Sequence, residues 1–332
     1  MRIRNYIFAG LFALTLSAGA TIIGLRFLHN AAPSAPILLE TERSPAIAKD
    51  PIEGSKDPAS HAETDLSNYN TKEVISSEAR LEALLRRQIA EFQPSRTIRI
   101  DPHKLPNMKL QKIFENAVSG KDSGFMVVRW SYVFTKHIGY ATLRSDMDYH
   151  TTKEQDRSVD LFAAEWAKNN LRMSMSQEEK VKAIHDHIIN SSDYHLGDEN
   201  DRFNGLSVHS PYTLSKEKVG VCQAYAILFY KIATAADIPC KLVPGDFESS
   251  FIYQDDDTQH LWNMVQIDGK WYHIDVTGDD PIIKNAPNAR MLSYEYYLKS
   301  DATMARSHSW NLDTYPEALE DYEVFYSDVI SD

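Results

Sequence analysis

Helical and strand patterns occupy separate segments of this chain, and together they predict a protein of mixed α and β structure. Residues 77–150 combine helical and strand patterns, which is typical of a small α/β module. Residues 219–239 are apolar on almost all sides, which predicts a buried helix, and residues 260–277 have the pattern of a β-hairpin. A second domain that packs a helix against strands is therefore expected after the first module.

The overall composition is that of a folded protein with an acidic surface. The chain has 332 residues, of which 43% are hydrophobic, and its net charge is -12. This hydrophobic content is normal for a globular core. The negative charge repels nucleic acid, and no stripe of lysine and arginine offsets it, so nucleic-acid binding is not expected. The composition does not indicate an oligomeric state.

The N-terminus carries signals for export. Arg2 and Arg4 precede a run without charged residues from Asn5 to Leu25, which is long enough to cross a bilayer as a helix. Positive charge before the run predicts a cytoplasmic N-terminus and an extracytoplasmic remainder. We expect residues 1–29 to be a transmembrane anchor, because the apolar run continues beyond the small residues at 18–20. The alternative is a signal peptide cleaved at that Ala-Gly-Ala sequence, which would secrete the protein.

Residues 30–75 are expected to form a disordered tether, because they contain several prolines and few large apolar residues. Folded structure is predicted from about Ser77, and the first module is assigned to residues 76–150. It contains no functional motif, so we expect it to have a packing or substrate-presenting role. Its predicted elements are helices at residues 77–92 and 110–117 and strands at residues 97–100, 125–134 and 138–150.

The second domain, assigned to residues 151–332, has a cysteine at a chemically favourable position. Cys222 stands at the start of the predicted buried helix, just after Gly220, which permits a tight turn. A helix N-terminus favours a thiolate and offers backbone N–H groups to an oxyanion. The alternative is that Cys222 is a small buried apolar residue, as most free cysteines are. Cys240 follows the proline that ends the helical pattern, and it is expected to be buried and unreactive.

The hairpin supplies a candidate base and carboxylate. Asp268-Gly269 separates two alternating runs, which predicts a two-residue turn. With that turn, residues whose numbers sum to about 537 are paired, so His260 and Asp275 share a sheet face as diagonal neighbours within side-chain reach. A base oriented by a carboxylate is what a cysteine nucleophile requires. The alternative is a half-buried hairpin with ordinary polar residues on one face.

The motifs of this second domain resemble those of the transglutaminase-like superfamily, with residues 175–280 carrying most of the likeness. They are KVKAIHDHIINSSDYH, GVCQAYA, HLWN and WYHIDVTGDDP, in that order. The resemblance implies an α+β, papain-like core in which a cysteine-bearing helix packs on an antiparallel sheet. It also implies Cys222 as nucleophile, His260 as base and Asp275 as its orienting carboxylate. With the predicted anchor, the chain is similar to membrane-anchored bacterial members.

The resemblance also suggests residues around the three central ones. Tyr212, in PYTL, matches a position that often completes an oxyanion hole, and Gln223 and Trp262 are expected in the substrate cleft. Two positions depart from the family pattern. Ala224 stands where glycine is common, and Gly278 stands where an aromatic residue is common, so the shape of the substrate pocket is expected to differ.

The implied activity is cysteine-dependent acyl transfer on amide bonds of peptides or proteins, without cofactor or metal. Water as acceptor gives peptidase or amidase activity, and an amine gives cross-linking; by analogy with prokaryotic members, hydrolysis is favoured. One alternative is an inactive module that binds peptides or cell-envelope polymers. Another is a structural ectodomain with a Cys222–Cys240 disulfide, but a helix of about 25 Å separates these positions. The aspartates at 255–257 and 279–280 are expected in solvated acidic loops.

Overall fold

The computed structural model describes most of the chain beyond residue 73. The described residues are 74–101, 103–104, 109–119, 122–196, 202–248, 259–281 and 292–323, with the backbone of residues 22–28 and 37–38. Within these ranges, no helix is long and apolar enough to span a membrane. Most of the predicted anchor, residues 1–29, and of the predicted tether, residues 30–75, lies outside the described residues.

The first module is an antiparallel sheet with helices packed against it. The sheet has the order β2-β1-β5-β6-β4-β3 among the described strands, with the short β3 parallel to β4. Its strands are β1 (Ile22–Leu28), β2 (Ile37–Leu38), β3 (Val74–Ile75), β4 (Ser95–Ile100), β5 (Val127–His137) and β6 (Tyr140–Tyr149), and its helices are α1 (Glu78–Ala90), α2 (Leu110–Val118) and α3 (Asp122–Phe125). These elements confirm the predicted mixture of helices and strands in this part of the chain.

Local sequence explains why α1 and β5 form where they do. The Ser77 hydroxyl accepts a hydrogen bond from the backbone N–H of Arg80 and so caps the start of α1. Apolar side chains at helical spacing then bury one face of that helix against the sheet. Trp130 and Tyr132 are two residues apart on β5, so they point to the same face of the sheet. Both rings stack there on Phe114 of α2.

The N-terminal boundary of this module differs from the sequence-based expectation. Ile75 is 1% exposed and pairs with Ile100 in the sheet, so the fold begins inside the segment assigned to the tether. Farther upstream, the backbone of β1 pairs with β5. The last four residues of the predicted membrane span, residues 22–25, are therefore strand and not helix.

The second part of the chain packs helices against an antiparallel sheet of order β13-β12-β11-β14 among the described strands. Its helices are α4 (Lys153–Asn170), α5 (Gln177–Ser191), α6 (Pro211–Glu217), α7 (Cys222–Ala235) and α8 (Asp301–Met304), and its strands are β7 (Asp193–Tyr194), β8 (Arg202–Phe203), β9 (Leu206–Ser207), β10 (Val219–Gly220), β11 (Cys240–Phe247), β12 (Gln259–Ile267), β13 (Lys270–Ile274) and β14 (His308–Trp310). The chain is thus α+β, with the cysteine-bearing helix on an antiparallel sheet as expected.

Helix α7 is the centre of this second part. It contacts α4, α5 and α6 on one side and β11 and β12 on the other, which explains why its sequence is apolar nearly all round. The α4 helix was not anticipated, because its buried stripe consists of Val159, Ala163 and Ala167, which give a weak pattern. A capping box between Thr152 and Gln155 marks its start.

The two parts of the chain are joined by a continuous apolar contact. Met126 of the first module packs with Ala226 and Ile227 of α7, and with Leu242 and Leu261 of the sheet. This contact lies along the same helix that carries Cys222. The first module is therefore part of the immediate surroundings of that cysteine.

Candidate active site

Cys222 is the first residue of α7, so its position depends on how the chain enters that helix. The preceding residue, Val221, has an extended backbone with φ of -111° and ψ of 177°, and valine has no side-chain acceptor to cap the helix. The first-turn N–H groups are thus not used by a capping side chain. Gly220 permits this entry, since a Cβ there would lie 2.9 Å from the Cβ of Ala224 and 3.3 Å from the carbonyl oxygen of Val208.

The hairpin β12–β13 has the register that the Asp-Gly turn predicted. Ile267 pairs with Lys270, and Asp268 and Gly269 have φ of 51° and 84°, as a two-residue turn with left-handed residues requires. The register confirms the expected pairing between the strands.

This register brings His260 and the residue that follows β13 together. Nε2 of His260 lies 2.8 Å from Oδ2 of Asp275, and both side chains are closed to solvent. The carboxylate also accepts the backbone N–H of Thr277 through Oδ1 at 3.1 Å. The two residues therefore form a buried, directly hydrogen-bonded imidazole–carboxylate pair.

Opposing effects determine the charge of His260. Burial works to lower its pKa, but the negative charge of Asp275 and the hydrogen bond to it raise the pKa, and contact with Cys222 adds to that. The outcome is a pKa of about 10, against an ordinary value of 6.5. For Asp275, burial works to raise the pKa, but His260 and His308 lower it well below the usual range. The pair therefore consists of an imidazolium and a carboxylate at neutral pH.

Cys222 also contacts the imidazole ring. Its side chain is within hydrogen-bonding reach of His260, as the contribution to the imidazole pKa reflects. Because Nε2 is engaged by Asp275, Nδ1 is the ring nitrogen left to face the sulfur. Cys222 itself is half-buried and carries a free thiol. The structure brings Cys222, His260 and Asp275 together in that order.

A second histidine, which the sequence did not indicate, also contacts this carboxylate. Nε2 of His308 lies 3.2 Å from Oδ2 of Asp275, and its side chain is fully buried. Donor atoms of His260, Asp275 and His308 lie within 4.8 Å of one another, a set that could hold a metal ion. Both imidazole nitrogens are within hydrogen-bonding distance of the carboxylate oxygen, so hydrogen bonding accounts for the cluster.

The loop after Asp275 is held from two helices. Oδ2 of Asp279 bonds Nε2 of His185 on α5 at 3.1 Å, and Oδ2 of Asp280 accepts the hydroxyl of Tyr225 on α7 at 2.9 Å. Asp279 is fully buried, and burial raises the pKa of its carboxyl. The expectation of a solvated acidic loop at 279–280 was therefore wrong, because both carboxylates bind side chains of the helical layer. Residues 255–257 lie outside the described residues.

A family model matches this same region of the chain. Residues 164–276 match the family model of the transglutaminase-like superfamily. That segment runs from within α4 to just past β13 and contains Cys222, His260 and Asp275.

This segment resembles a transglutaminase-like core.

Several known proteins resemble the chain at low identity. The kyphoscoliosis peptidase of Mus musculus is 24% identical over 196 residues, which cover 53% of this chain and 29% of that protein. The Homo sapiens protein of the same name is 26% identical over 193 residues, covering 51% of this chain and 28% of that protein. The chain thus spans less than a third of the length of these curated relatives. A crystal structure described as a TGase is 17% identical, covers 61% of this chain and 55% of that chain, and has a TM-score of 0.31.

The other residues that the sequence assigned to the site lie in different surroundings. Tyr212 lies in the first turn of α6, half-buried against the core, and its part in an oxyanion hole stays a prediction. Gln223 donates its side-chain amide to the carbonyl oxygen of Phe125 at 2.6 Å, so it joins the first module to α7. Trp262 is fully buried, and its indole N–H donates to Nδ1 of His273 at 3.0 Å. In this conformation Trp262 belongs to the core behind His260 and not to an open cleft.

The second cysteine of the chain differs from Cys222 in its surroundings. Cys240 begins β11 and is half-buried as a residue, so it is more exposed than expected. Its sulfur lies 3.7 Å from the side-chain amide of Asn263. Burial raises the pKa of its thiol, which keeps it protonated at neutral pH. Both cysteines are free, so the alternative of a Cys222–Cys240 disulfide has no support in this structure.

Proposed function

We propose that this protein catalyses cysteine-dependent acyl transfer on amide bonds of peptides or proteins, with Cys222 as nucleophile, His260 as general acid and base, and Asp275 as the carboxylate that orients His260. The observation that carries this proposal is the buried His260–Asp275 pair, 2.8 Å apart, placed beside the free thiol of a half-buried cysteine at a helix start. A cysteine nucleophile requires a neighbouring base held in one orientation.

In the first step, the Cys222 thiolate attacks the carbonyl carbon of a substrate amide. The negative charge that develops on the carbonyl oxygen is placed near the first-turn N–H groups of α7, which no side chain caps. The His260 imidazolium then gives its proton to the leaving nitrogen, the C–N bond breaks, and a thioester with Cys222 remains. Asp275 accepts the other ring N–H throughout and stabilises the positive charge.

In the second step, an acceptor resolves the thioester. His260, now neutral, removes a proton from a water molecule whose oxygen attacks the acyl carbon, and the sulfur leaves as a thiolate that restores the ion pair. We infer that water is the acceptor and that the reaction is hydrolysis. The support for this is that both curated relatives are named as peptidases.

The experiment that tests the proposal combines labelling and turnover. The full-length chain and its Cys222→Ala variant are treated with an iodoacetamide probe, and the labelled peptides are identified by mass spectrometry. Both proteins are then incubated with a denatured protein substrate, with and without a fluorescent primary amine. Selective labelling at Cys222 and new N-termini that the variant fails to produce are expected. Incorporation of the amine without new N-termini would show transamidation, and an unlabelled Cys222 would indicate an inactive binding module.

We also propose that the folded part acts outside the cytoplasm, because Arg2 and Arg4 precede an uncharged run. Pairing of β1 with β5 limits the length of the membrane span. A span that continued to Leu25 would keep four residues of β1 in the bilayer and out of the sheet. Cleavage after residue 20, or a span of about 17 residues that ends before Ile22, leaves the strand intact. The mass and membrane partition of the exported protein distinguish these outcomes, and protection of the chain from external protease would contradict export.

A further inference from the structure

The Asp275 carboxylate receives two imidazole groups on the same oxygen. Oδ2 lies 2.8 Å from Nε2 of His260 and 3.2 Å from Nε2 of His308. His308 is on β14, at the opposite edge of the sheet order from the strand that precedes Asp275. The carboxylate is therefore held between side chains from separate strands, and His260 is the imidazole that contacts Cys222.

The ring of His308 is fixed on all sides. It stacks on Phe247, its partner across the β11–β14 ladder, with ring centres 4.2 Å apart and planes 12° apart. The indole of Trp262 meets it edge-on at 5.0 Å. Its Nδ1 lies 2.9 Å from the hydroxyl oxygen of Ser307. A ring confined in this way has one orientation from which to meet Asp275.

The direction of the hydrogen bonds follows from the chemistry of the carboxylate. An ionised carboxylate only accepts, so the N–H on Nε2 of His308 donates to Asp275. In the neutral ring Nδ1 is then the acceptor, and the Ser307 hydroxyl donates to it.

The remaining side of the carboxylate is closed by packing. A Cβ at Gly278 would lie 2.7 Å from Oδ2 of Asp275 and 2.7 Å from Cδ2 of Tyr296. The Tyr296 ring thus fills the space that a side chain at position 278 would need. It also meets His308 edge-on at 5.1 Å, so the same ring packs against both the loop and the second imidazole.

We propose that His308 is a positioning residue, which fixes the Asp275 carboxylate by a second imidazole hydrogen bond so that this carboxylate orients His260 toward Cys222. The inference rests on the proposed function, because it assigns His308 to the same cysteine–histidine machinery. The role assigned to His308 needs no contact with the sulfur or with the substrate carbonyl. It acts through Asp275, and its loss lets the carboxylate leave the position 2.8 Å from His260.

The test compares two substitutions of similar size in the full-length chain. His308→Gln keeps an N–H donor where Nε2 stands, and His308→Met has none. The rate at which iodoacetamide alkylates Cys222 is measured at pH 6 by mass spectrometry, with the Cys240 peptide as an internal reference. We expect about a tenfold or larger decrease for His308→Met, as loss of a hydrogen bond to a charged group implies. The glutamine variant should stay within about threefold of the wild type, since it restores the bond.

Each outcome bears on a different claim. Alkylation of His308→Met at the wild-type rate would overturn the positioning role while leaving the proposed function in place. An equally slow His308→Gln would show that packing, and not the donor, matters, which also overturns it. A wild-type Cys222 no more reactive than Cys240 would overturn the proposed function together with this inference.

A measurement on the wild type keeps the proposal testable if a variant fails to fold. Nitrogen-15 NMR of the imidazole groups reports which ring nitrogen of His308 carries the proton. The proposal requires the proton on Nε2. A proton on Nδ1 alone would leave Nε2 unable to donate to Asp275 and would refute the assignment.

Discussion

Replacement of Asp275 by asparagine is the perturbation that most directly tests the chemistry of the site. The change keeps the size of the side chain but removes its charge, while His260 stays buried. With Asp275 present, the pKa of His260 is about 10, so at pH 7 the imidazolium outweighs the neutral ring by about a thousand to one. Without the carboxylate charge, burial, which is the largest effect, acts to lower the pKa and the smaller contribution of Cys222 opposes it, so the pKa falls to its ordinary 6.5 or below. The ratio then falls below about 0.3 at pH 7.

The expected loss follows from these two ratios. The imidazolium population relative to the neutral ring decreases by roughly three thousandfold or more. Transfer of the Cys222 proton to His260 becomes less favourable by the same factor, so the thiolate–imidazolium pair is depleted. By the triad template, turnover should then fall by roughly 10³ or more. The assay is the appearance of new N-termini in a denatured protein substrate at pH 7, alongside the alkylation rate of Cys222.

Asp280→Asn is the matched control. Asp280 lies in the same loop but accepts the hydroxyl of Tyr225 at 2.9 Å, and an asparagine oxygen can accept the same bond. Its activity should stay close to that of the wild type. Similar activity in the two variants, with both folded by circular dichroism, would refute the role assigned to Asp275.

Three further outcomes are expected. Gly278→Ala places a Cβ 2.7 Å from Oδ2 of Asp275, so Cys222 alkylation should slow by roughly tenfold to a hundredfold with the fold retained; an unchanged rate would show that the carboxylate tolerates displacement. Iodoacetamide should label Cys222 faster than Cys240, because burial raises the pKa of the Cys240 thiol; faster labelling of Cys240 would contradict this. The pKa of His260 rises from 6.5 to about 10 on folding. Its contribution to the free energy of unfolding is therefore fully present below about pH 6.5 and is lost as the pH rises through about 10. Denaturant melts should show this decline in the wild type and not in Asp275→Asn.

The relation between His260 and Asp275 could be predicted because it depends on local sequence. A two-residue Asp-Gly turn fixes the register of a hairpin, and the register decides which side chains share a face. The observed pairing of Ile267 with Lys270 confirms that step. The start of α7 at Cys222 was predictable for a similar reason, since an apolar segment preceded by glycine signals a helix start.

The contacts that sequence could not supply come from distant parts of the chain. His308 meets Asp275 across 33 residues, and only because β14 pairs with β11. Asp279 meets His185 across 94 residues, so a pair of adjacent aspartates that looked solvated is tied to α5. Neither contact leaves a spacing pattern, because each depends on the order of strands and helices in three dimensions. The short β3 was missed as well, since two residues give too short a pattern.

The contact between Gln223 and the first module limits where the chain can be truncated. Gln223 is engaged by the carbonyl of Phe125, and apolar side chains of the first module cover α7 beside it. A fragment cut at residue 150 would expose that apolar surface and release the first turn of the helix, which makes it prone to aggregation. The described parts should therefore melt in a single cooperative transition. Expression of the second part alone should yield a protein whose Cys222 thiol is less reactive.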